Sequence, residues 1–304
     1  MGADTTIDWT EGSGIRPFLS WAGSKRRLLK QLAPHIPKTW NTYFEPFLGG
    51  GSMFFHLAPS SAVISDASSA LIATYKAIKQ DHESVAEFLA PLRPSRTRFD
   101  IIKRLEATTE SDKAAQFIFL NKSCWNGLYR VNSDGAFNVP YGRPKSNFLL
   151  NSDNLELCAK QLRRQRVSIK RQDFEKIDTD VKAGDFVFFD PPYVTSHNMN
   201  GFVDWNEELF SWKDQVRLAA LAKRLVKRRA NVLITNADHD DVKALFSDLS
   251  YTQIVRTSTL ASDKTKRRKT SEAVFFGGPA YSDEGIVKEG KTSHDSKRRA
   301  AGPG

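Results

Sequence analysis

Seven short stretches of this chain carry apolar and β-branched residues with little interruption: Thr42–Pro46, Ala62–Ser65, Val167–Lys170, Asp185–Phe189, Asn231–Thr235, Thr252–Arg256 and Glu272–Phe276. Several are nearly continuous, as expected of strands buried on both faces. Between them the apolar spacing becomes helical. The clearest case begins near Glu207, where Leu218, Leu221, Ala222 and Leu225 share one face and Arg217, Lys223, Arg224 and Arg228 lie elsewhere. Strands alternating with helices predict an α/β domain, a parallel sheet covered on both faces. Such sheets hold their ligands at the carboxyl ends of the strands.

The alternation breaks between about Tyr75 and Arg166. Helical spacing there leads into Tyr129–Tyr141, where Asp134-Gly135 is a hairpin-turn signal flanked by Val131, Phe137 and Val139. This pattern predicts an insertion that projects from the sheet domain. It also fits a subdomain that merely completes the core.

Composition narrows the classes. The 304 residues suit two domains, or one large domain with an insertion. No apolar stretch approaches the length of a membrane span, and the acidic, polar first residues do not read as a secretory signal. Cys124 and Cys158 are too few for a zinc site or a disulfide framework, and the six histidines lack ligand spacing, so no metal is expected. A reducing cytoplasmic setting follows. The net charge of +10 gathers in Arg93–Arg104, Arg163–Arg166, Lys223–Arg229 and Lys264–Lys269. Such clusters suit nucleic-acid phosphates, or simply solvated helix faces. The last residues, from Tyr281, read as a solvated extension.

Two local patterns carry chemistry. In Tyr43-Phe-Glu-Pro-Phe-Leu-Gly-Gly-Gly-Ser-Met-Phe54 a strand feeds a glycine turn, with a helix beginning near Ser52. Bare backbone beside a helix N-terminus lets a ligand lie close. Asp66, ending the next strand, is placed to accept hydrogen bonds from a ribose diol, or to cap a helix over Ala67–Lys79. Phe54 stands where a dinucleotide fingerprint needs glycine, which favours a nucleoside without a pyrophosphate.

The second pattern is Phe189-Asp-Pro-Pro-Tyr193. An exocyclic amine on a nucleobase is a poor nucleophile, because its lone pair is delocalised into the ring. Acceptors aimed at its two N–H bonds would localise that lone pair. The Asp190 carboxylate and the Pro191 carbonyl suit this task. Pro191 and Pro192 fix the backbone and donate no N–H, and Tyr193 offers a face on which an extruded base can stack. Acceptors facing developing charge favour the transition state over the ground state. The same residues also suit a Pro-Pro turn with a solvated aspartate.

Pro17-Phe-Leu-Ser-Trp-Ala-Gly-Ser-Lys25, the glycine turn, Asp66, Asn126-Gly-Leu-Tyr-Arg130 with Phe137-Asn-Val-Pro-Tyr-Gly142, and the Asp-Pro-Pro-Tyr tetrapeptide follow one another in a fixed order. From about Arg16 to Phe276 the chain resembles the Dam-type (D12 class, α-group) DNA adenine-N6 methyltransferases. The resemblance implies a Rossmann-like class I methyltransferase sheet of seven strands, the last antiparallel, with an inserted helical and β-hairpin DNA-recognition domain. It divides the chain into a flexible N-terminus (1–14), a catalytic domain (15–75 and 167–278), a target-recognition domain (76–166) and a disordered tail (279–304). It implies S-adenosyl-L-methionine as methyl donor and adenine N6 in duplex DNA, at GATC, as acceptor.

By the same resemblance Trp21, Lys25, Glu45, Phe47, Gly49, Gly51, Asp66, Asp173, Phe174 and Asp190 contact the cofactor. Asp190 to Tyr193 are catalytic, and Trp125 fills the space left by a flipped base. Core packing is the rival role for Trp125. Arg130 is placed for a bidentate contact to a guanine edge, with Asn126, Leu128, Asn138 and Pro140 beside neighbouring bases. Two positions depart from the family pattern, Ser20 for lysine and Ser24 for glycine, and the first bears on a base contact. The resemblance further implies a cytoplasmic, nucleoid-associated monomer of bacterial or phage origin, with a restriction endonuclease as one possible partner. Methylation of cytosine N4 or RNA adenine, and a non-catalytic DNA-binding module of the same fold, are the competing readings.

Overall fold

The computed structural model describes residues 9–132, 135–144, 151–194, 210–257 and 269–282. In chain order, α1 (Leu29–Leu32) precedes β1 (Tyr43–Glu45), α2 (Ser52–Leu57), β2 (Ser61–Asp66) and the long α3 (Ser69–Leu89). Then come α4 (Arg96–Arg104), α5 (Glu110–Ser123), α6 (Ser152–Leu162), β3 (Arg166–Arg171) and β4 (Phe186–Phe189). The chain continues through α7 (Trp212–Lys227), β5 (Asn231–Ala237), α8 (Asp240–Leu245), β6 (Ser250–Thr257) and β7 (Lys269–Gly277). Every strand expected from the sequence is present.

The strands form one sheet in the order β3-β2-β1-β4-β5-β7-β6. The pairs from β3 through β5 are parallel, and β7 runs antiparallel between β5 and β6. Strand order reverses at β1 and β4, which pair directly, with Phe44 opposite Val187. Sheets of this kind bind ligands in the crevice outside the carboxyl ends of the strands at such a switch point. The glycine turn leaves β1 and the Asp-Pro-Pro-Tyr segment leaves β4, so both patterns meet at that crevice.

Successive strand residues feed opposite layers, as the pleat requires. Tyr43, Phe186 and Phe188 pack with Phe54, Phe55 and Tyr75 on one face. Phe44, Val187 and Phe189 pack with Leu218, Leu221 and Leu225 of α7 on the other. The predicted apolar face of α7 is therefore fully buried. Its N-terminus is fixed by a reciprocal capping box between Ser211 and Asp214, so the helix begins at Trp212; Glu207 lies outside the described residues.

Helix α3 carries the chain from the sheet towards the insertion, with non-helical backbone at Asp81 (φ −148°, ψ 71°), and α5 packs along it. Beyond α5, Cys124 bridges Tyr141 and Val131 bridges Phe137, giving the expected antiparallel hairpin. Gly135 donates to the Asn132 carbonyl at 3.0 Å to close its turn; Asp134 lies outside the described residues. Phe99, Phe117, Tyr129, Phe137 and Tyr141 form a small aromatic core beneath the hairpin. At the chain ends, Trp9 stacks on Trp40, and Tyr281 in the turn Pro279–Tyr281 donates to the His35 carbonyl. Among the described residues, no helix is long and apolar enough to cross a membrane.

Candidate active site

Strand β4 ends at Phe189, and the next residue turns its carboxylate into the crevice. Asp190 Oδ1 accepts from Thr235 Oγ1 and pairs with Lys25 Nζ, each at 2.7 Å. Among the described residues no hydrogen bond reaches Oδ2. Lys25 is 3 % exposed, donates to the Gly23 carbonyl at 2.9 Å, and lies 4.8 Å above the centre of the Tyr193 ring. A second carboxylate closes the group. Glu272 of β7 accepts from the Tyr193 hydroxyl at 2.7 Å and lies 3.7 Å from Lys25 Nζ.

Burial pushes the Asp190 carboxyl above its ordinary range, with the Lys25 cation and the Thr235 hydrogen bond acting in opposition. Burial, together with the Asp190 and Glu272 charges, holds the Tyr193 phenol far above its usual value. Tyr193 therefore stays a donor and keeps its hydrogen bond to Glu272. Beyond it, Gln215 of α7 donates to the Val194 carbonyl and pairs reciprocally with Asn236, which anchors the far side of the turn.

One strand away, Gly49 and Gly51 adopt positive φ (47° and 67°). A Cβ at Gly49 would meet the Trp21 indole at 2.7 Å, so the ring lies directly on the bare turn. Asp66 binds the same turn. Its carboxylate accepts from Gly49 N–H and from Ser68 N–H, each at 3.0 Å. Ser68, not Asp66, caps α3 through its Oγ, which sets aside the capping role considered for Asp66. The segment 17–25 thus joins the two patterns, with Trp21 on the glycine turn and Lys25 on Asp190. Ser24 Oγ lies 2.7 Å from Ser52 Oγ at the start of α2, a tie that the family's glycine lacks.

Glu45 is buried beneath both turns and accepts from the Tyr43 hydroxyl at 2.8 Å. Burial, reinforced by the Asp190 and Asp66 charges, lifts its pKa from 4.5 to about 8. Below pH 4.5 the folded and unfolded chains both carry the proton. Between 4.5 and about 8 only the unfolded chain releases it, so stability falls across that window and the loss is complete above it. Each pKa unit corresponds to about 1.4 kcal/mol. Glu45→Gln should therefore melt several degrees above the parent near pH 8, with the gap closing towards about pH 5. A gap independent of pH would contradict a buried, protonated Glu45.

Of the remaining cofactor candidates, Phe47 stacks on Phe174 at 5.2 Å between ring centres. Arg217 covers the Phe174 ring and pairs with Asp173 at 2.8 Å. Asp173 also caps the turn Phe174–Thr179. The Phe47 and Phe174 rings pack with Phe189 and Phe210 in the apolar layer beneath α7.

The hairpin places the DNA-reading candidates on a surface. Trp125 is 40 % exposed, which removes the core-packing alternative. Asn126, Arg130, Asn138 and Pro140 are exposed and Leu128 is half-buried. Arg130 donates to the Asn138 carbonyl from Nε (3.3 Å) and Nη2 (2.9 Å), which holds the guanidinium across the hairpin. The basic clusters separate into different classes. Lys223, Arg224 and Arg228 pair with Asp248, Glu175 and Asp178, so three of the cations of the α7 cluster are engaged by acids of this chain, while Lys227 and Arg229 are exposed. Arg163 donates to the Lys79 and Gln80 carbonyls of α3. Residues 264–268 lie outside the described residues. Among the described residues no group of acids, histidines and cysteines could hold a metal ion.

Sequence reading missed Thr235, Glu272 and Tyr43. The first ends a predicted strand beside β4, a position where a hydroxyl faces the crevice. Glu272 is the lone acid of β7, between polar Lys269–Ser271 and apolar Ala273–Phe276, a signal that alternation alone does not resolve.

A switch-point crevice with a bare glycine turn on one strand and a buried Lys–carboxylate–Tyr cluster on the next defines a Rossmann-like methyltransferase acting on an amine. The family model for D12 class N6 adenine-specific DNA methyltransferases matches residues 21–262, and the chain belongs to that family. It is 35% identical over 268 residues to the type II methyltransferase M1.LlaDCHI of Lactococcus lactis subsp. cremoris, covering 86% of this chain and 94% of the relative. It is 37% identical over 250 residues to M.MjaIII of Methanocaldococcus jannaschii, covering 75% and 86%. It is 26% identical over 276 residues to a DNA adenine methylase of Vibrio cholerae, covering 88% and 98%. The chain is thus a DNA adenine-N6 methyltransferase, and family and fold together imply an S-adenosylmethionine-type methyl donor.

Proposed function

We propose that the chain methylates N6 of an adenine turned out of duplex DNA at GATC, with S-adenosyl-L-methionine as donor. The observation that carries this reading is the position of the Asp190 cluster, one strand from the glycine turn and joined to it by segment 17–25.

The crevice suits the cofactor. Gly49 and Gly51 leave backbone bare, and Trp21 lies on the turn. Asp66 stands at the end of β2 for the ribose, and Phe47, Asp173 and Phe174 border the adenine end. Glu45, which holds a proton in this environment, would ionise beside a cationic amino group. When bound, the group supplies an electrophilic methyl on a sulfonium.

The chain's own residues prepare the acceptor. Asp190 Oδ2 and the Pro191 carbonyl receive the two amine N–H bonds and draw the lone pair out of conjugation. Thr235 and Lys25 hold Oδ1, so the carboxylate does not rotate as charge develops. Glu272 fixes the Tyr193 ring on which the base stacks. Residues 76–166 form the target-recognition domain, with Trp125 as the wedge that repays part of the unstacking cost. Residues 15–75 and 167–278 form the catalytic domain, and the enzyme acts on DNA as a monomer.

Purified protein should move radiolabelled methyl from S-adenosyl-L-methionine to unmethylated duplex DNA. DNA from cells expressing it should resist nucleases blocked by adenine methylation at GATC. Full cutting at those sites alongside N6-methyladenine elsewhere would overturn the GATC assignment. Label on RNA alone would overturn the substrate.

A further inference from the structure

The recognition loop and the cofactor segment are tied together by one buried amide. Asn121, near the end of α5, is fully buried. Its Oδ1 accepts from Ser20 N–H at 2.9 Å, and its Nδ2 donates to the Ser20 carbonyl at 2.8 Å. The second N–H of Nδ2 donates to the Gly127 carbonyl at 3.0 Å. The side chain pairs with Ser20 as a strand neighbour would, while also holding the loop that presents Trp125 and Asn126. Gly127 has φ +64°, and a Cβ there would meet the Ser20 carbonyl oxygen at 2.2 Å, so the two backbones are in direct contact.

What lies on either side gives this tie its consequence. Ser20 is followed by Trp21, whose indole covers Gly49, and four residues later by Lys25, which reaches Asp190. The loop side is rigid as well, since Trp125 N–H donates to the Pro140 carbonyl of the hairpin at 2.9 Å. A displacement of the loop on DNA therefore passes through the Asn121 amide and the Gly127–Ser20 backbone contact to the residue before Trp21.

The geometry points to Asn121 as a positioning residue that couples the recognition loop to the cofactor turn, so that duplex DNA and cofactor each tighten the other's binding. This rests on the function proposed above. Coupling of this kind is reciprocal and typically spans about 5- to 150-fold in affinity.

The fold supplies its own control. Asn154 of α6 grips the same segment in the same manner at Arg16, accepting from its N–H at 2.9 Å and donating to its carbonyl at 2.8 Å. None of its hydrogen bonds among the described residues reaches the recognition loop. A purely structural staple predicts that Asn121→Ala and Asn154→Ala behave alike. A coupling residue predicts that they differ.

Binding of S-adenosylhomocysteine is measured by calorimetry on the full chain, alone and saturated with a short unmethylated duplex carrying GATC, or the site the digestion assigns. The parent should bind about tenfold more tightly with DNA present. Asn154→Ala should keep that ratio, whereas Asn121→Ala should reduce it to below about twofold, with affinity in the absence of DNA little changed. Gly127→Ala separates the two backbones from the loop side and should lose the ratio too, which decides the matter if Asn121→Ala does not fold. A parent with no enhancement, retention by Asn121→Ala or Gly127→Ala, or equal loss in Asn154→Ala would overturn the coupling role. Absence of binding to either ligand would instead overturn the proposed function.

Discussion

Asp190→Ala should lower methyl transfer by about a thousandfold or more, while S-adenosylhomocysteine binding and the melting temperature change little. The carboxylate is held on one oxygen by Thr235 and Lys25, and among the described residues no hydrogen bond reaches the other. On the function proposed above, alanine removes the acceptor that faces the amine, and among the described residues the nearby Glu272 is already engaged by Tyr193 and Lys25. The fold should tolerate the loss. Lys25 retains Glu272 at 3.7 Å as a counter-ion, and the turn remains anchored through Gln215 and Val194. Asp190→Asn keeps the shape but presents one acceptor and one donor group, so its activity should fall between alanine and the parent. The measurement is single-turnover methyl transfer to duplex DNA at saturating cofactor. Activity of Asp190→Ala within about tenfold of the parent would refute Asp190 as the principal amine acceptor.

Most of the frame was legible because its signals are local. A run such as Phe186–Phe189 has no exposed face to satisfy, and a parallel strand buried on both sides is its natural place. The turns at Gly49 and Pro191 announce themselves through residues that restrict or free the backbone. What escaped was long-range pairing. Whether Lys223, Arg224 and Arg228 are free for phosphate depends on Glu175, Asp178 and Asp248, which lie on other elements. Composition counts those charges but does not pair them.

The same limit hid the polar residues that complete the site. Asn121 follows the apolar run Phe117–Leu120 and reads as the polar end of a helix, yet it satisfies two backbone groups of distant Ser20 and one of nearby Gly127. Glu272 reads as one polar position in a strand, but β7 is covered on both edges and the residue is only 4 % exposed. Burial of an acid in a central strand requires a partner. That requirement leads to Lys25, and the sequence motif containing Lys25 was already in view.

Lys25→Met is the second large effect, and it acts on stability and pH dependence together. In the parent one buried ammonium serves the half-buried Asp190 and the buried Glu272, at 2.7 Å and 3.7 Å. Removing it leaves Asp190 and Glu272 without their cation, a change that typically destabilises by about 3–5 kcal/mol when buried charges lose their partner. The sign of the pH effect follows from Asp190, whose carboxyl burial already raises and Lys25 lowers. Without the cation that carboxyl rises further and holds its proton to higher pH. A protonated Asp190 is a poorer amine acceptor, so the acid limb of the pH–rate profile should move to higher pH, and some activity should return as the medium becomes alkaline. Stability should move in the opposite direction. It is retained while the Asp190 carboxyl keeps its proton and is lost as pH rises through the range where that group ionises. Adding Asp190→Asn to Lys25→Met removes one of the stranded charges, so the double variant should recover much of the lost stability and none of the activity. Melting curves and rate profiles of the three variants across pH test this. An acid limb that stays where the parent has it would mean that Lys25 does not set the ionisation of Asp190.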